Sequence, residues 1–263
     1  MEQQTVPGLE ALMDAAWPAP DREDSGGWVL RAAAGVTQRA NSIWPRSEPN
    51  GTPHHRLALL RDARAWYRSR RLPVIFQVFD HAGSAALNAV LDEEGFTRQS
   101  ETLILVRGTG GDPPAPDAGV ELSAQPPAEW LRLWWSVDGR GDEDSLATAR
   151  GILEGCPSLY ALARDDDGVP AAVGRLALPL IGEGNRGGLY CMATRPDARR
   201  RGYANRVLDS LLAAGASRGL DSYWLLVTAA NTGARELYAR AGFQEAGRYF
   251  YRQERPKRHL TGC

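Results

Sequence analysis

Residues 192–205 of this chain read Met-Ala-Thr-Arg-Pro-Asp-Ala-Arg-Arg-Arg-Gly-Tyr-Ala-Asn, which places three arginines directly before a glycine. The apolar run ending at Thr194 predicts a strand, and the apolar spacing over residues 207–212 predicts an amphipathic helix that begins near Gly202. The first N–H groups of a helix have no intrahelical partner, and the helix dipole favours negative charge there. Gly202 and the small Ala204 let an anion approach the main chain, and the arginines add charge-assisted hydrogen bonds. The stretch therefore predicts a diphosphate-binding site.

A second motif lies downstream, where residues 231–243 read Asn-Thr-Gly-Ala-Arg-Glu-Leu-Tyr-Ala-Arg-Ala-Gly-Phe. It follows the apolar run 223–227, which predicts a buried strand. Strand, arginine-glycine loop, helix, strand and helix thus come in a fixed order. In this order the two motifs resemble the acetyl-CoA region of the GNAT superfamily of N-acetyltransferases, namely Q/R-x-x-G-x-G/A after a strand and then N-x-x-A-x-x-L-Y-x-x-x-G-F. The resemblance covers residues 119–255.

The GNAT resemblance implies an α/β (α+β) fold in which helices flank a mixed, splayed β-sheet. It also implies that the pantetheine arm of acetyl-CoA lies in the gap between the strands at Met192 and Leu225. There the main chain would pair with the pantetheine amides as another strand does, and an N–H group would polarise the thioester carbonyl. The implied cofactor-binding residues are Met192, Ala193, Thr194, Arg199, Arg200, Arg201, Gly202, Tyr203, Ala204, Asn205 and Asn231. A role for Asn231 as the N-cap of its own helix is an equally open interpretation.

Tyr238 is the residue that the resemblance implies as general acid. It lies one helical turn beyond Ala234 on the apolar face of the predicted helix, from where its hydroxyl would reach the cofactor sulfur. Ordinary pKa values are about 10 for tyrosine and about 8.5 for a thiol, so proton donation to the leaving thiolate is feasible. A tyrosine that only packs beside Leu237 remains the alternative. No base for the acceptor amine stands out, although several candidate groups are present: Tyr190, Cys191, Asp138, Glu143 and Asp144.

A Gly- and Pro-rich stretch divides the chain, which has 263 residues and is long enough for two domains. Residues 108–118 read Gly-Thr-Gly-Gly-Asp-Pro-Pro-Ala-Pro-Asp-Ala, and such a stretch neither continues a helix nor joins a sheet interior. It predicts a linker between residues 1–107 and 119–263. Both parts contain helix, Gly-Phe and strand in succession, which predicts two tandem copies of one topology. No arginine-glycine loop precedes a helix in the first part, so we expect a degenerate GNAT-like copy without a cofactor site.

Composition excludes several classes of protein. The apolar share is 43%, the charged share is 24% and the net charge is -1, so we expect a soluble globular chain with no nucleic-acid partner. No apolar stretch approaches the length of about 18 residues that a membrane helix needs, and no basic segment leads into an apolar run at the start. The cysteines form no C-x-x-C pair, which predicts a reduced compartment and no metal site. The expectation is a cytoplasmic protein.

The sequence thus predicts an acetyl-CoA-dependent N-acyltransferase (EC 2.3.1 class) that acetylates a primary amine of a small molecule or peptide by direct attack. The two-copy architecture also resembles mycothiol synthase. This likeness suggests a narrower hypothesis, in which the acceptor is the amine of an amino sugar or thiol metabolite. One alternative is a module that senses acyl-CoA without turnover. Another is an acyltransferase whose donor is a carrier protein or aminoacyl-tRNA. The sequence does not identify the acceptor, and it leaves a homodimer open.

Overall fold

A computed structural model of the chain describes residues 8–47, 52–110, 113–181 and 184–255. The helices within these ranges are α1 (Leu9–Ala16), α2 (Pro53–Ser69), α3 (Ala85–Glu93), α4 (Ala128–Asp138), α5 (Glu143–Glu154), α6 (Tyr203–Ala216) and α7 (Thr232–Arg240). The strands are β1 (Asp21–Ser25), β2 (Trp28–Ala32), β3 (Trp44–Pro45), β4 (Ile75–Phe79), β5 (Phe96–Gly108), β6 (Val120–Ser123), β7 (Ser158–Arg164), β8 (Pro170–Ala177), β9 (Arg186–Thr194), β10 (Ser222–Thr228) and β11 (Gln244–Glu254). Gly111 and Asp112 of the predicted linker lie outside the described residues.

The chain divides into two compact units. Unit 1 comprises Met1–Pro18 and Leu103–Gly247, and unit 2 comprises Ala19–Thr102 and Arg248–Cys263. This division does not follow the boundaries expected at residues 107 and 119, because α1 is grouped with the C-terminal half and the end of β11 with the N-terminal half. A Gly/Pro stretch marks where local structure stops, but it carries no information about which distant segments pack together. That residues 1–107 are a degenerate GNAT-like copy stays a prediction.

The sheet of unit 1 has the strand order β5-β10-β9-β8-β7-β6. β9 and β10 are parallel, whereas β6 to β9 form antiparallel pairs. The hairpin between β7 and β8 turns at Gly168, whose φ of +78° is one that glycine adopts without strain. α6 places its apolar side, with Val207 and Leu211, in the main core of the unit, and Leu189 of β9 belongs to the same core. A mixed sheet flanked by helices, as predicted, therefore holds the arginine-glycine loop at the end of β9.

Close ring contacts and hydrogen bonds attach the segment 9–17 to the same sheet. The ring of Trp17 stacks on that of Tyr190 in β9 with 5.6 Å between centroids, and it meets Trp134 of α4 edge-on at 6.4 Å. The fully buried Arg175 of β8 donates a hydrogen bond of 2.9 Å to the carbonyl of Ala16. These contacts are the physical reason why α1 belongs to unit 1.

Unit 2 contains the antiparallel sheet β1-β2-β3 and an antiparallel pairing of β4 with β11. Its core includes Trp28 of β2, Tyr67 of α2 and Phe76 of β4. Arg31 is buried there and donates hydrogen bonds to Ser42 and to Gln77, the latter at 2.7 Å. In neither unit does a described helix have the length and apolarity needed to cross a membrane.

Candidate acetyl-donor site

The strands β9 and β10 separate halfway along their length. Their parallel pairing runs from Arg186 opposite Ser222 to Leu189 opposite Leu225 and then ends. On its other side β9 remains paired with β8 as far as Thr194. Within the described part of the chain, residues 190–194 therefore have one edge to which β10 does not pair. The resemblance implied a gap between the strands at Met192 and Leu225; the observed separation begins directly after the paired residues Leu189 and Leu225.

A β-bulge lies at the start of this unpaired edge. The register between β8 and β9 shifts between Val173 and Arg175, and Cys191 of β9 has a φ of +54°. A bulge adds a residue on one strand and redirects the side chains that follow it. Gly174 faces the bulge closely, because a Cβ atom there would lie 2.5 Å from the Met192 sulfur and 2.8 Å from a methyl carbon of Val207. The residue types did not reveal the bulge, since a cysteine rarely has a positive φ.

The arginine-glycine loop brings the start of α6 close to the end of β9. After a short 3-10 turn at Pro196–Ala198, Gly202 takes the N-cap position of α6 with a φ of +86°. A Cβ atom at Gly202 would meet no atom within 4 Å, so the space beside the backbone here is open. The unpaired N–H groups of the first turn of α6 lie directly after it. The loop thus has the backbone geometry of an anion site.

Two arginines that flank the loop are neutralised by aspartates. Arg195 bonds to Asp165 and Asp197, each at 2.7 Å, and Arg206 bonds to Asp117 at 2.7 Å. Hydrogen bonds from these guanidinium groups hold the pKa values of all three aspartates below their usual range. The positive charges of Arg195 and Arg206 are therefore compensated by these aspartates within the protein.

Arg199, Arg200 and Arg201 differ from these flanking residues because all three are exposed. The Arg199 guanidinium makes a long contact of 3.4 Å with the carbonyl of Thr194, where β9 ends. Arg200 and Arg201 form no ion pair with a carboxylate in the described parts of the chain. The predicted cluster of positive charge thus faces solvent at the start of α6, as a diphosphate site requires.

The remaining predicted residues of the loop divide by burial. Tyr203 is buried, and the guanidinium carbon of Arg206 lies 5.3 Å from its ring centre. Ala204 is half-buried and Asn205 is exposed. In β9 Ala193 is buried, whereas Met192 and Thr194 are half-buried. Any cofactor contact of the buried members would therefore use main-chain atoms, as the resemblance implies.

Tyr238 lies on the buried side of α7 with 7% of its surface exposed. Its ring meets Phe243 edge-on at 6.0 Å, and its hydroxyl forms no hydrogen bond to another described residue. Burial raises the pKa of Tyr238, and the negative charge of Asp138 raises it further. The hydroxyl therefore carries its proton throughout the physiological pH range. Its role as general acid stays a prediction.

Asn231 takes the N-cap position of α7, where its side-chain oxygen accepts a hydrogen bond of 3.1 Å from the N–H of Ala234. The geometry therefore supports the interpretation of Asn231 as the N-cap of its own helix. The amide nitrogen of Asn231 takes no part in the cap and is a donor in its own right. A bond from it to the cofactor arm remains compatible with the cap and stays a prediction.

A cavity of about 140 Å³ lies toward the other end of α6. Its lining includes Leu212, Leu220, Tyr223 and Arg107 but none of the predicted site residues. We place the candidate site at the start of α6 because the unpaired strand edge, the open helix start and the exposed arginines coincide there. The cavity shares none of these features.

Comparison with protein families identifies the chain. A family model described as "Probable histone acetyltransferase Rv0428c C-terminal" matches residues 5–252. The chain belongs to this family. It is accordingly an acetyltransferase of the GNAT superfamily, as the two motifs predicted.

The family assignment agrees with individual relatives. The chain is 24% identical over 254 residues to "Uncharacterized N-acetyltransferase YobR" of Bacillus subtilis, covering 94% of this chain and 98% of that protein. It is 34% identical over 180 residues to "Mycothiol acetyltransferase" of Clavibacter michiganensis subsp. michiganensis, covering 64% of this chain and 57% of that protein. The match with the mycothiol acetyltransferase thus spans little more than half of that protein.

Solved structures share the fold. A "GCN5-related N-acetyltransferase" from Kribbella flavida superposes with a TM-score of 0.66 at 20% sequence identity, covering 95% of each chain. The shared architecture extends over almost the whole chain, including the part before the predicted linker. At this level of identity the likeness concerns the fold alone.

Proposed function

We propose that the chain transfers an acetyl group from acetyl-CoA to a primary amine of a small molecule or peptide. The observation that carries this proposal is the coincidence of the unpaired β9 edge, residues 190–194, with the open start of α6 at Gly202. Bound acetyl-CoA would supply the acetyl group as an activated thioester. The other steps of the reaction would depend on the chain's own residues.

The described residues fit such a donor. The N–H groups of the first turn of α6 and the side chains of Arg199, Arg200 and Arg201 would hold the diphosphate. Main-chain atoms of Met192, Ala193 and Thr194 would hold the pantetheine arm as a neighbouring strand does. A Cβ at Gly202 meets nothing within 4 Å, so a phosphate has room to approach the backbone. The strand edge would hold the pantetheine arm with main-chain N–H and carbonyl groups alone. Uncharged side chains are therefore sufficient there.

In this proposal Tyr238 holds the proton that the leaving sulfur needs. Its raised pKa makes it a weaker acid than an exposed tyrosine, but a thiolate formed in the same dehydrated surroundings also has a raised pKa. The difference between donor and acceptor therefore stays small. Tyr238 needs no neighbour to keep its proton, which suits a general acid.

The acceptor class is the less constrained half of the proposal. The family description names histone acetylation, which favours lysine ε-amines in a peptide. Similarity to the protein named mycothiol acetyltransferase favours the amine of an amino-sugar-derived thiol metabolite. Both are primary amines, so direct attack on the thioester would use the same residues.

A thiol-release assay tests the proposal. Acetyl-CoA is incubated with full-length protein and a panel of amines that includes glucosamine, spermidine and a lysine-containing peptide, and free CoA is measured over time. Multiple turnovers with at least one amine, together with mass-spectrometric detection of the acetylated amine, are expected. Tight CoA binding by calorimetry without turnover across the panel would instead favour an acyl-CoA sensor. Turnover only with an acylated carrier protein or aminoacyl-tRNA would replace the donor.

A further inference from the structure

Arg195 connects the arginine-glycine loop to the neighbouring β7–β8 hairpin. It directly follows the last residue of β9, and its main-chain N–H donates a hydrogen bond of 2.9 Å to the carbonyl of Ala171 in β8. Its guanidinium donates to Asp165 and Asp197, each at 2.7 Å, and to the carbonyl of Pro170 at 3.0 Å. Each of the three guanidinium nitrogens thus has its own acceptor, which fixes the direction of the side chain.

Asp165 is held in turn by the backbone of the hairpin. One carboxylate oxygen accepts hydrogen bonds from the N–H groups of Asp167 at 3.1 Å and Val169 at 2.9 Å. The other oxygen accepts the bond from Arg195. Only 8% of the Asp165 side chain is exposed, against 25% for Arg195. A charge-assisted pair that is shielded from solvent and fixed on both sides holds its partners more firmly than a freely exposed pair does.

The loop that follows Arg195 has a backbone that needs such support. Arg200 has a φ of +61°, a left-handed conformation that is costly for a residue with a Cβ atom. Conformations of this kind persist only where the surrounding structure enforces them. Between β9 and Arg200 the chain is fixed by the fork of Arg195 and by Ala198, which is fully buried in the core of unit 1. Arg195 is therefore an anchor on the β9 side of the loop.

We propose that Arg195, paired with Asp165, is a positioning residue that holds the arginine-glycine loop in the conformation that binds the diphosphate of acetyl-CoA. The inference rests on the proposed function, because the diphosphate belongs to the proposed donor. The Arg195 guanidinium does not bind the diphosphate, since two carboxylates and a carbonyl already occupy it. It acts through the loop, by keeping the start of α6 and the exposed Arg199, Arg200 and Arg201 in place. Without this anchor the loop would visit other conformations, and the apparent affinity would fall with the fraction that remains competent.

Arg164 offers a matched comparison on the same hairpin. It is the last residue of β7, pairs with Glu121 at 2.6 Å and Glu129 at 2.7 Å, and donates to a carbonyl of the hairpin turn at 3.0 Å. The exposed fraction of its side chain, 29%, is close to the 25% of Arg195. None of its hydrogen bonds within the described parts of the chain reaches residues 195–203. Loss of Arg164 therefore removes a similar ion-pair network without releasing the loop.

Calorimetry with CoA compares Arg195→Met with Arg164→Met in the full-length protein. Methionine keeps an apolar side chain and removes the N–H groups. We expect R195M to weaken CoA binding about 10-fold or more, because about a tenth or less of the loop population would remain competent. R164M should stay within about 2-fold of wild type, because its loop population is unchanged.

Asp165→Asn tests the other half of the pair with a smaller change. The variant keeps one side-chain oxygen for the N–H groups of the turn and replaces the oxygen that faces Arg195 by an amide donor. We expect it to weaken CoA binding in the same direction as R195M. The double variant R195M/D165N should bind CoA no more weakly than R195M alone, because both substitutions break the same interaction and their effects are not additive.

Kinetics with two donors separate positioning from a general loss of structure. In R195M the KM for acetyl-CoA should rise about 10-fold while kcat stays within about 2-fold of wild type, because saturating donor selects the competent loop. S-acetylpantetheine carries the same thioester without a diphosphate. With this donor R195M and wild type should have equal kcat/KM, a result that a merely destabilised protein would not give.

Three results would overturn the role of Arg195. They are CoA affinity within about 2-fold of wild type in folded R195M and D165N, an equal loss of CoA affinity in R164M, and an equal defect with acetyl-CoA and S-acetylpantetheine. Circular dichroism establishes that each variant is folded. If wild-type protein binds CoA but turns over no amine, the proposed transfer is refuted, whereas calorimetry still decides the role of Arg195. Absence of CoA binding in wild type would refute both.

Discussion

Gly202 shows how a single residue shapes the candidate site. Its φ of +86° lies in the region that glycine adopts freely and that costs other residues about 1 kcal/mol or more. No atom lies within 4 Å of a Cβ built there, so sterics within the protein do not demand glycine. Two separate reasons for glycine remain, namely the backbone conformation and the space that an incoming phosphate would use.

Two substitutions at Gly202 separate these reasons. Gly202→Glu is expected to abolish CoA binding in a folded protein, because a carboxylate would occupy the approach to the helix start and repel the diphosphate. Gly202→Ala carries the same backbone strain but places only a methyl group in that space, so it should lose about 1 kcal/mol of stability and weaken CoA binding much less than Gly202→Glu does. Calorimetry with circular dichroism measures both effects. Unchanged CoA affinity in folded G202E would remove the diphosphate assignment.

Tyr238→Phe tests the general acid at the same scale. The ring would still pack against Phe243, so CoA binding should weaken by no more than about 1 kcal/mol, the worth of one neutral hydrogen bond. The turnover number should fall by about 10² to 10⁴, because the proton donor is gone. Donor thioesters whose thiol has a lower pKa should reduce the defect. Saturation kinetics measure the turnover number of the variant. A variant with wild-type turnover would show that Tyr238 is only a core residue.

Among the elements, Arg175 of β8 connects α1, α5 and β7. Its guanidinium donates to the carbonyl of Ala16 at 2.9 Å, to that of Leu153 at 3.0 Å and to the hydroxyl of Ser158 at 2.9 Å. It is fully buried, and it lies directly opposite Tyr190 in the β8–β9 register. The guanidinium reaches these three acceptors with a fixed planar fork of N–H groups, whereas a lysine ammonium is a compact group on a flexible stem and lacks that geometry.

Arg175→Met should therefore destabilise the protein. It leaves the buried carbonyl of Ala16 without its donor, and an unsatisfied buried acceptor costs about 1–3 kcal/mol. Loss of the contact with the Trp17 ring, whose centre is 5.7 Å away, adds to this. The control is Arg150→Met, which removes an exposed i,i+4 pair with Glu154 and should cost about 0.5 kcal/mol or less. Urea unfolding measures the free energy of unfolding of both variants. Equal values would contradict the proposed role of Arg175 in connecting α1, α5 and β7.

For the molecule as a whole, the division into units changes what a functional fragment must contain. Residues 119–263 include every predicted cofactor-binding residue. Unit 1 also needs α1 and the end of β5, which lie before residue 119. Large apolar side chains of both segments are buried: Leu9, Leu12, Met13, Trp17, Leu103 and Leu105. Each contributes about 1.5–3 kcal/mol when buried, and together they match the whole stability of a domain, about 5–15 kcal/mol.

A fragment of residues 119–263 is accordingly expected not to fold cooperatively. Thermal and urea denaturation followed by circular dichroism should show no sigmoidal transition, whereas full-length protein shows one. The expectation is contradicted by a soluble fragment with a cooperative transition. A folded fragment that binds CoA would further show that the cofactor site is complete without α1.

Much of the fold and site follows from local rules. The spacing of apolar residues predicts α6 and α7, and the β7–β8 hairpin follows from an Asp-Gly turn. The prediction of an anion site follows from the glycine and arginines at one helix start, because a helix exposes its first N–H groups whatever surrounds it. Each of these features depends on residues within a few positions of one another. Motif order along the chain sufficed to identify the superfamily.

Two other features depend on packing between distant segments and have no local signature. Ala16 and Arg175 are 159 positions apart, so nothing near either one predicts their hydrogen bond or the membership of α1 in unit 1. The left-handed conformation of Cys191 arises because β9 must accommodate an extra residue opposite β8, not because cysteine favours it.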